Sequence, residues 1–312
     1  MHAGSASAAV PRRLARTVSP VLFRRVTFAA VGVLILIVAT GATVRLTGSG
    51  LGCPHWPTCT TKHALPRGYH SDIEFSNRVV SAATVFTTLV LALAAWRTRG
   101  LGRRGRWLAT AVFLGTLAQA PLGAITVYYD LNPYLVITHL LLSFTLVSLA
   151  VLTLLEASRL VRGSGLPLPG IARLGGVALA VAVVGLAVSG TAATAAGRFP
   201  GSSGSKIVPR LGSFQPSVYW HVRTVAAFGI IFLVLAAWAW TRRSTYPWLL
   251  RGCAGLLAIL AVQMTIGEVQ YRTYSDVPWW LVLLHVATAA TLVGWTVGVV
   301  GRLWRPVAPE SP

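Results

Sequence analysis

Two histidines stand where histidine is costly. His221 opens one long apolar run, His-Val-Arg-Thr-Val-Ala-Ala-Phe-Gly-Ile-Ile-Phe-Leu, and His285 lies in another, Trp-Trp-Leu-Val-Leu-Leu-His-Val-Ala-Thr. Both runs are long enough to cross a membrane, and both histidines sit a turn or two in from the same end. An imidazole in hydrocarbon must be paired or ligated, which makes each a candidate functional residue. Two of them on facing helices suit axial ligation of a haem iron from both sides. The plainer alternative is that each only hydrogen-bonds a neighbouring helix.

The first part of the chain nearly repeats the arrangement. His139 lies at the same depth in Pro-Tyr-Leu-Val-Ile-Thr-His-Leu-Leu-Leu. Gln119 and Gly123 precede it, and Gln263 and Gly267 stand before His285 at an offset of 144 in both cases. The same offset carries His221 back to Asn77, so histidine fills three of four equivalent places. The chain is therefore expected to consist of two tandem units.

Those residues need helices to carry them, and the composition supplies them. Apolar residues make up 54% of the 312 and charged residues 11%, too few charges to cover a soluble domain of this size. Eight apolar runs recur, near 26–44, 75–96, 107–126, 134–155, 174–194, 218–240, 248–267 and 279–300. The fold class expected is all-α: eight transmembrane helices as two tandem four-helix bundles, 26–160 and 174–301, joined by a linker at 161–173. The flanking tails are 1–25 and 302–312. The net charge of +20 does not point to nucleic acid, because 18 of the 27 basic residues cluster in the tails and alternate loops. The positive-inside rule makes those segments cytoplasmic, with both termini inside a cell membrane. The arginine-rich start, Met1 to Pro20, has no small-residue cleavage site behind a short apolar core and is not expected to be a signal peptide.

The first outer loop is the least ordinary non-helical stretch. It runs Gly48-Ser-Gly-Leu-Gly-Cys-Pro-His-Trp-Pro-Thr-Cys59, and its glycines and prolines exclude a helix. Cys53 and Cys59 face the oxidising side, which favours a disulfide, with a reversible dithiol as the functional alternative. His55 and His63 lie close by, but no second pair of zinc ligands accompanies them. The next span begins Asp72-Ile-Glu-Phe-Ser-Asn-Arg78, where Glu74, Asn77 and Arg78 share a helix face. Glu74 is open to two readings: an ion pair with Arg78 at a helix start, or a proton-handling carboxylate at the mouth of an intramembrane pocket.

Further along, the fifth span is rich in Ala, Val and Gly, which permits close packing in lipid. The second outer loop, from Gly197 to Lys206, is glycine- and serine-rich without cysteine. Arg210 and Arg223 flank His221, and Arg45 and Arg78 flank the corresponding first-half place. Such cations could meet haem propionates, or could snorkel to headgroups. Cys253 lies inside the seventh span and is expected to be a packing residue.

Taken together, these residues resemble the haem A synthases of aerobic respiration, over essentially the whole chain after residue 25. The similarity rests on the cysteine-pair loop, the Glu-x-x-x-Arg start of the second span, the Gln-x-x-x-Gly of spans three and seven, and the four ligand places. It implies a membrane oxidoreductase that converts the C8 methyl group of haem O to a formyl group, giving haem A for cytochrome oxidase. It also implies a haem b cofactor held by His221 and His285. The substrate haem would lie beside His139, Asn77 and Arg78, with Glu74 as the catalytic carboxylate. A haem O synthase and a membrane electron acceptor are the implied partners, and a homo-oligomer is left open. The chain departs from the family pattern at Asn77, where many members carry histidine, and in the second outer loop, which lacks a cysteine pair. An amide is a weak iron ligand, so His139 alone would leave one face of the substrate iron open, as reaction or exchange requires.

Other classes fit less well. A di-haem electron carrier without enzymatic activity is the alternative, and it predicts saturated ligation at both sites, against Asn77. A transporter built of inverted repeats would need an odd number of spans per unit. A prenyltransferase would need paired aspartates for Mg²⁺-diphosphate, and the chain has only seven acidic residues.

Overall fold

A computed structural model describes residues 17–56, 58–60, 65–203 and 208–309. Most of the expected N-terminal tail, His63 in the first outer loop and Lys206 in the second lie outside them. Among the described residues the secondary structure is helical, with three isolated bridges and no strands. The helices are α1 (Pro20–Leu46), α2 (Tyr69–Arg97), α3 (Arg103–Tyr128), α4 (Pro133–Arg162), α5 (Gly170–Ala196), α6 (Phe214–Thr241), α7 (Pro247–Arg272) and α8 (Trp279–Trp304). All eight are long and apolar enough to cross a membrane. At 1.5 Å per residue each exceeds a hydrocarbon core of about 30 Å, so their ends reach the headgroup level.

The boundaries follow from local chemistry. Ser19 caps α1 by accepting from Leu22 N at 3.2 Å, and Pro20 occupies the first turn, where its missing N–H costs nothing. Asn132 and Pro133 repeat the device at α4, where Asn132 Oδ1 accepts from Tyr134 N at 3.0 Å. Gly163, at φ 85°, ends α4. The non-helical connection between α4 and α5 is 163–169, because Arg162 continues α4 and α5 begins at Gly170. Pro121 sits within α3 and returns no N–H to the carbonyl of Leu117.

Helices α1 to α4 pack into one bundle and α5 to α8 into another. They meet through α1 and α4 on one side and α5 and α8 on the other. Each bundle has its own apolar core. The first is centred on Phe23, Leu34, Leu91, Val112 and Leu146, the second on Leu179, Phe228, Phe232, Leu256 and Leu303. The second core also takes Val38 from α1 and Phe144 from α4, so α4 is a wall common to both halves. Cys253 is buried in the second core, as a packing residue would be. At the end of the bundle remote from the disulfide loop, Glu156 on α4 binds Arg305 at 2.7 Å, and the backbones of Gly165 and Ala308 tie the linker to the C-terminal segment.

Candidate active site

The even-numbered helices all start at the same end of the molecule, and each carries a candidate site residue near that start. Glu74 is the sixth residue of α2, His139 the seventh of α4, His221 the eighth of α6 and His285 the seventh of α8. At 1.5 Å per residue this sets the imidazoles roughly 10 Å below those helix ends.

His221 and His285 face each other with ring centroids 6.4 Å apart and planes at 81°. Both line a cavity of about 570 Å³ bounded by the second bundle together with Arg45 and Leu46 of α1 and Leu140 and Phe144 of α4. The His221 ring is held in place. Its Nδ1 lies 3.0 Å from Ser189 Oγ, which lies 2.6 Å from Thr224 Oγ1, and Thr224 donates to the His221 carbonyl at 2.8 Å. With the Thr224 proton so committed, Ser189 can donate to Thr224 or to Leu186 O and accept from His221 Nδ1–H. That arrangement satisfies every hydroxyl and leaves Nε2 as the nitrogen with a free lone pair, as a metal ligand requires. His285 Nδ1 is buried with no hydrogen-bond partner. A Cβ on Gly190 would stand 3.1 Å from His221 Cε1 and crowd that ring, whereas one on Gly267 would only touch His285 Cε1, at 3.4 Å.

These residues fit a haem. Two metal–imidazole bonds of about 2 Å plus two ring radii span about 6 Å, close to the observed spacing. Among the described residues no three His, Cys, Asp or Glu side chains converge, and a macrocycle that brings four nitrogens needs only two from the protein.

The first bundle repeats part of this. Gln119 Nε2 donates to the His139 carbonyl at 3.1 Å, and Gln263 Nε2 donates to the His285 carbonyl at 2.9 Å. His139 Nδ1 and His285 Nδ1 are both buried and unpartnered, as are Gln119 Oε1 and Gln263 Oε1. Gly123 lies under His139 as Gly267 lies under His285. The likeness ends at the fourth place, where Asn77 Oδ1 accepts from Thr40 Oγ1 at 2.8 Å instead of offering an imidazole.

Glu74 is only 5% exposed and belongs to the outer loop as much as to α2. Its Oε2 accepts from Cys53 N at 2.7 Å and its Oε1 from Arg78 Nη2 at 2.6 Å. Arg78 Nη1 in turn donates to the carbonyls of His55 at 2.7 Å and Thr58 at 3.0 Å. Cys53 and Cys59 form a disulfide. A carboxylate and a guanidinium thus clamp both ends of the disulfide loop onto the start of α2. Gly52 is required there, since a Cβ would come within 2.6 Å of His70 O.

The loops that follow α1 and α5 join at this end, a contact that no local sequence pattern records. Gly50 N donates to Gly201 O at 2.7 Å and Ser203 N to Gly48 O at 2.9 Å. His70 lies between them, with Nδ1 3.0 Å from Ser49 Oγ and Nε2 2.9 Å from Ser203 Oγ. Leu131, at φ 57°, is a non-glycine residue in a left-handed conformation, and its side chain approaches Gly50 and Gly201. The Gly/Ser character shared by both loops was the available signal.

The arginines part company. Arg45, grouped by sequence with the first half, lines the second-half cavity and donates to Thr194 O at 3.1 Å. Arg210 binds the carbonyls of Gly197 and Arg198 beside that mouth. Arg223 lies over Tyr219 and Trp220 and does not line the cavity.

The COX15-CtaA family model, cytochrome oxidase assembly protein, matches residues 24–73 and 69–297. The chain belongs to this family. Its curated relatives carry the name haem A synthase. That of Geobacillus kaustophilus (strain HTA426) is 28% identical over 281 residues, covering 84% of this chain and 85% of the relative. That of Bacillus pumilus (strain SAFR-032) is 33% identical over 132 residues, or 41% and 43% of the two chains. That of Staphylococcus haemolyticus (strain JCSC1435) is 35% identical over 125 residues, or 38% and 41%. The expected resemblance to haem A synthases holds, and it extends along most of the chain.

Proposed function

We propose that this membrane oxidoreductase makes haem A from haem O, oxidising the C8 methyl group to a formyl group. Its topology would place both termini in the cytoplasm and the disulfide loop outside. The observation that carries the reading is the pair His221 and His285, 6.4 Å apart across one cavity in a chain of this family. In this reading the second half holds a haem b, with His221 and His285 as its axial ligands and Arg45 and Arg210 as the cations near its propionates. Bound there, haem b would supply one-electron redox chemistry.

The rest falls to the chain's own side chains. Ser189 and Thr224 orient His221 so that one ring nitrogen is available. In the first half His139 would receive the substrate haem O, and Asn77, held by Thr40, leaves the opposite side without an imidazole. Methyl oxidation releases protons as well as electrons, and Glu74 is the buried carboxylate at the outer mouth of that bundle. Arg78 keeps Glu74 anchored beside the disulfide loop. Matching Gln–His bonds at an offset near 144 support the view that the two halves arose by internal duplication.

The test is haem extraction from membranes of a host that makes haem O, with and without this protein. Haem A should appear only with it. Bound b-type haem without any haem A would favour the di-haem carrier, a reading that the Asn77–Thr40 bond opposes.

A further inference from the structure

The turn of α8 that carries His285 is tied to α7 twice. Gln263 Nε2 donates to the His285 carbonyl at 2.9 Å, and Gln270 Nε2 donates to the Leu281 carbonyl, also at 2.9 Å. Leu281 O is the carbonyl that the helix pairs with the N–H of His285, so Gln270 takes its second lone pair. The two acceptors therefore bracket one hydrogen-bonded turn. Their donors share one face of α7 with Gly267, which lies under the His285 ring. A single tie lets a helix pivot about the bond. Two ties a turn apart fix both its rotation and its slide, and with them the direction of the imidazole.

Among the described residues, the first bundle repeats the inner tie and not the outer one. Gln119 Nε2 reaches the His139 carbonyl at 3.1 Å and Ser143 Oγ, one turn further in, at 2.8 Å. The offset of 144 carries Gln270 back to Thr126. That hydroxyl donates to Leu122 O at 2.7 Å, inside α3, and so is not spent on α4.

We propose that Gln270 is a positioning residue for His285, locking with Gln263 the turn from which the ligand projects. This rests on the reading of His221 and His285 as haem ligands, and it concerns retention. A metal ligand holds its group only when its orientation is fixed to within about 0.5 Å. The second half, with two ties, keeps its haem as a resident cofactor; the first half, with one, gives up the haem it converts.

The test uses the purified full-length protein with its haem. Gln270→Met keeps the length of the side chain and removes the donor. It should release haem to an apo-acceptor about tenfold faster and shift the low-spin EPR signal, which reports how the two imidazole planes are set. The unfolding temperature of the haem-free protein should change little. Should Gln270→Met fail to fold, Gln270→Asn, which draws the amide back by one methylene, carries the same expectation. An unchanged release rate and spectrum would overturn the inference, as would a lowered haem-free unfolding temperature with the spectrum unchanged. His285→Ala, run alongside, separates the two readings. If it loses its haem while Gln270→Met matches the unsubstituted protein, only the role of Gln270 fails. If it keeps its full haem, the ligand assignment falls first, and this inference with it.

Discussion

The backbone N–H of Cys53 donates to Glu74 Oε2 at 2.7 Å, joining the disulfide loop to a buried carboxylate one turn into α2. The two sequence readings of Glu74 are therefore not exclusive. The ion pair with Arg78 exists, at 2.6 Å, and it holds the carboxylate at the mouth of the first bundle. Removing one partner of such a buried pair costs about 3–5 kcal/mol, which explains why the clamp persists in an apolar setting.

Glu74→Gln removes the proton-handling group and the ion pair with Arg78 together. The amide oxygen can still accept from Cys53 N, and Arg78 keeps its bonds to the His55 and Thr58 carbonyls, so the loop and the disulfide should form at reduced stability. Haem A formation should fall by about 10²-fold or more, with haem b content unchanged. Haem extraction and thiol labelling on one preparation check both halves of the claim, and near wild-type activity would leave Glu74 with a structural role alone.

His221→Ala or His285→Ala should remove most of the b-type absorbance while the protein still inserts. Ser189→Ala is the finer probe. Loss of the oxygen that holds His221 Nδ1 should weaken haem retention by about 10–100-fold without unfolding the bundle, measured by haem transfer to an apo-acceptor. Full haem content in both histidine variants would dismiss the ligand pair.

Asn77→His supplies the imidazole that the fourth place lacks. The first half should then retain haem more tightly and release product more slowly, seen as additional haem per chain after purification. Thr40 now donates to Asn77, so Thr40→Val alone should free the amide without adding haem.

Cys53 and Cys59 should resist thiol reagents from the cytoplasmic side of intact membranes and should be oxidised in air. Labelling of either from that side would reverse the proposed orientation.

Much of this was legible without coordinates. Eight helices, the out-of-place histidines, the Gln-x-x-x-Gly spacing and the disulfide are local matters, set by apolar run length, desolvation cost and two thiols six residues apart. Even the matching bonds of Gln119 and Gln263 were foreshadowed by a shared offset. Helix ends were less so: α4 runs on through Arg159 to Arg162 because a helix continues past the apolar segment until Gly163 turns the chain.

Only the tertiary structure decided which half a side chain serves. Arg45 belongs to α1 by sequence yet lines the cavity of the second bundle, because two packed bundles share a face that no linear pattern records. The same holds for His70, which reaches Ser49 21 residues before it and Ser203 133 residues after it, and for Phe144, which lies on the helix of His139 but in the core of the other half. Periodicity states which residues share a helix face; it does not state what that face meets, because that depends on how the helices are arranged in space.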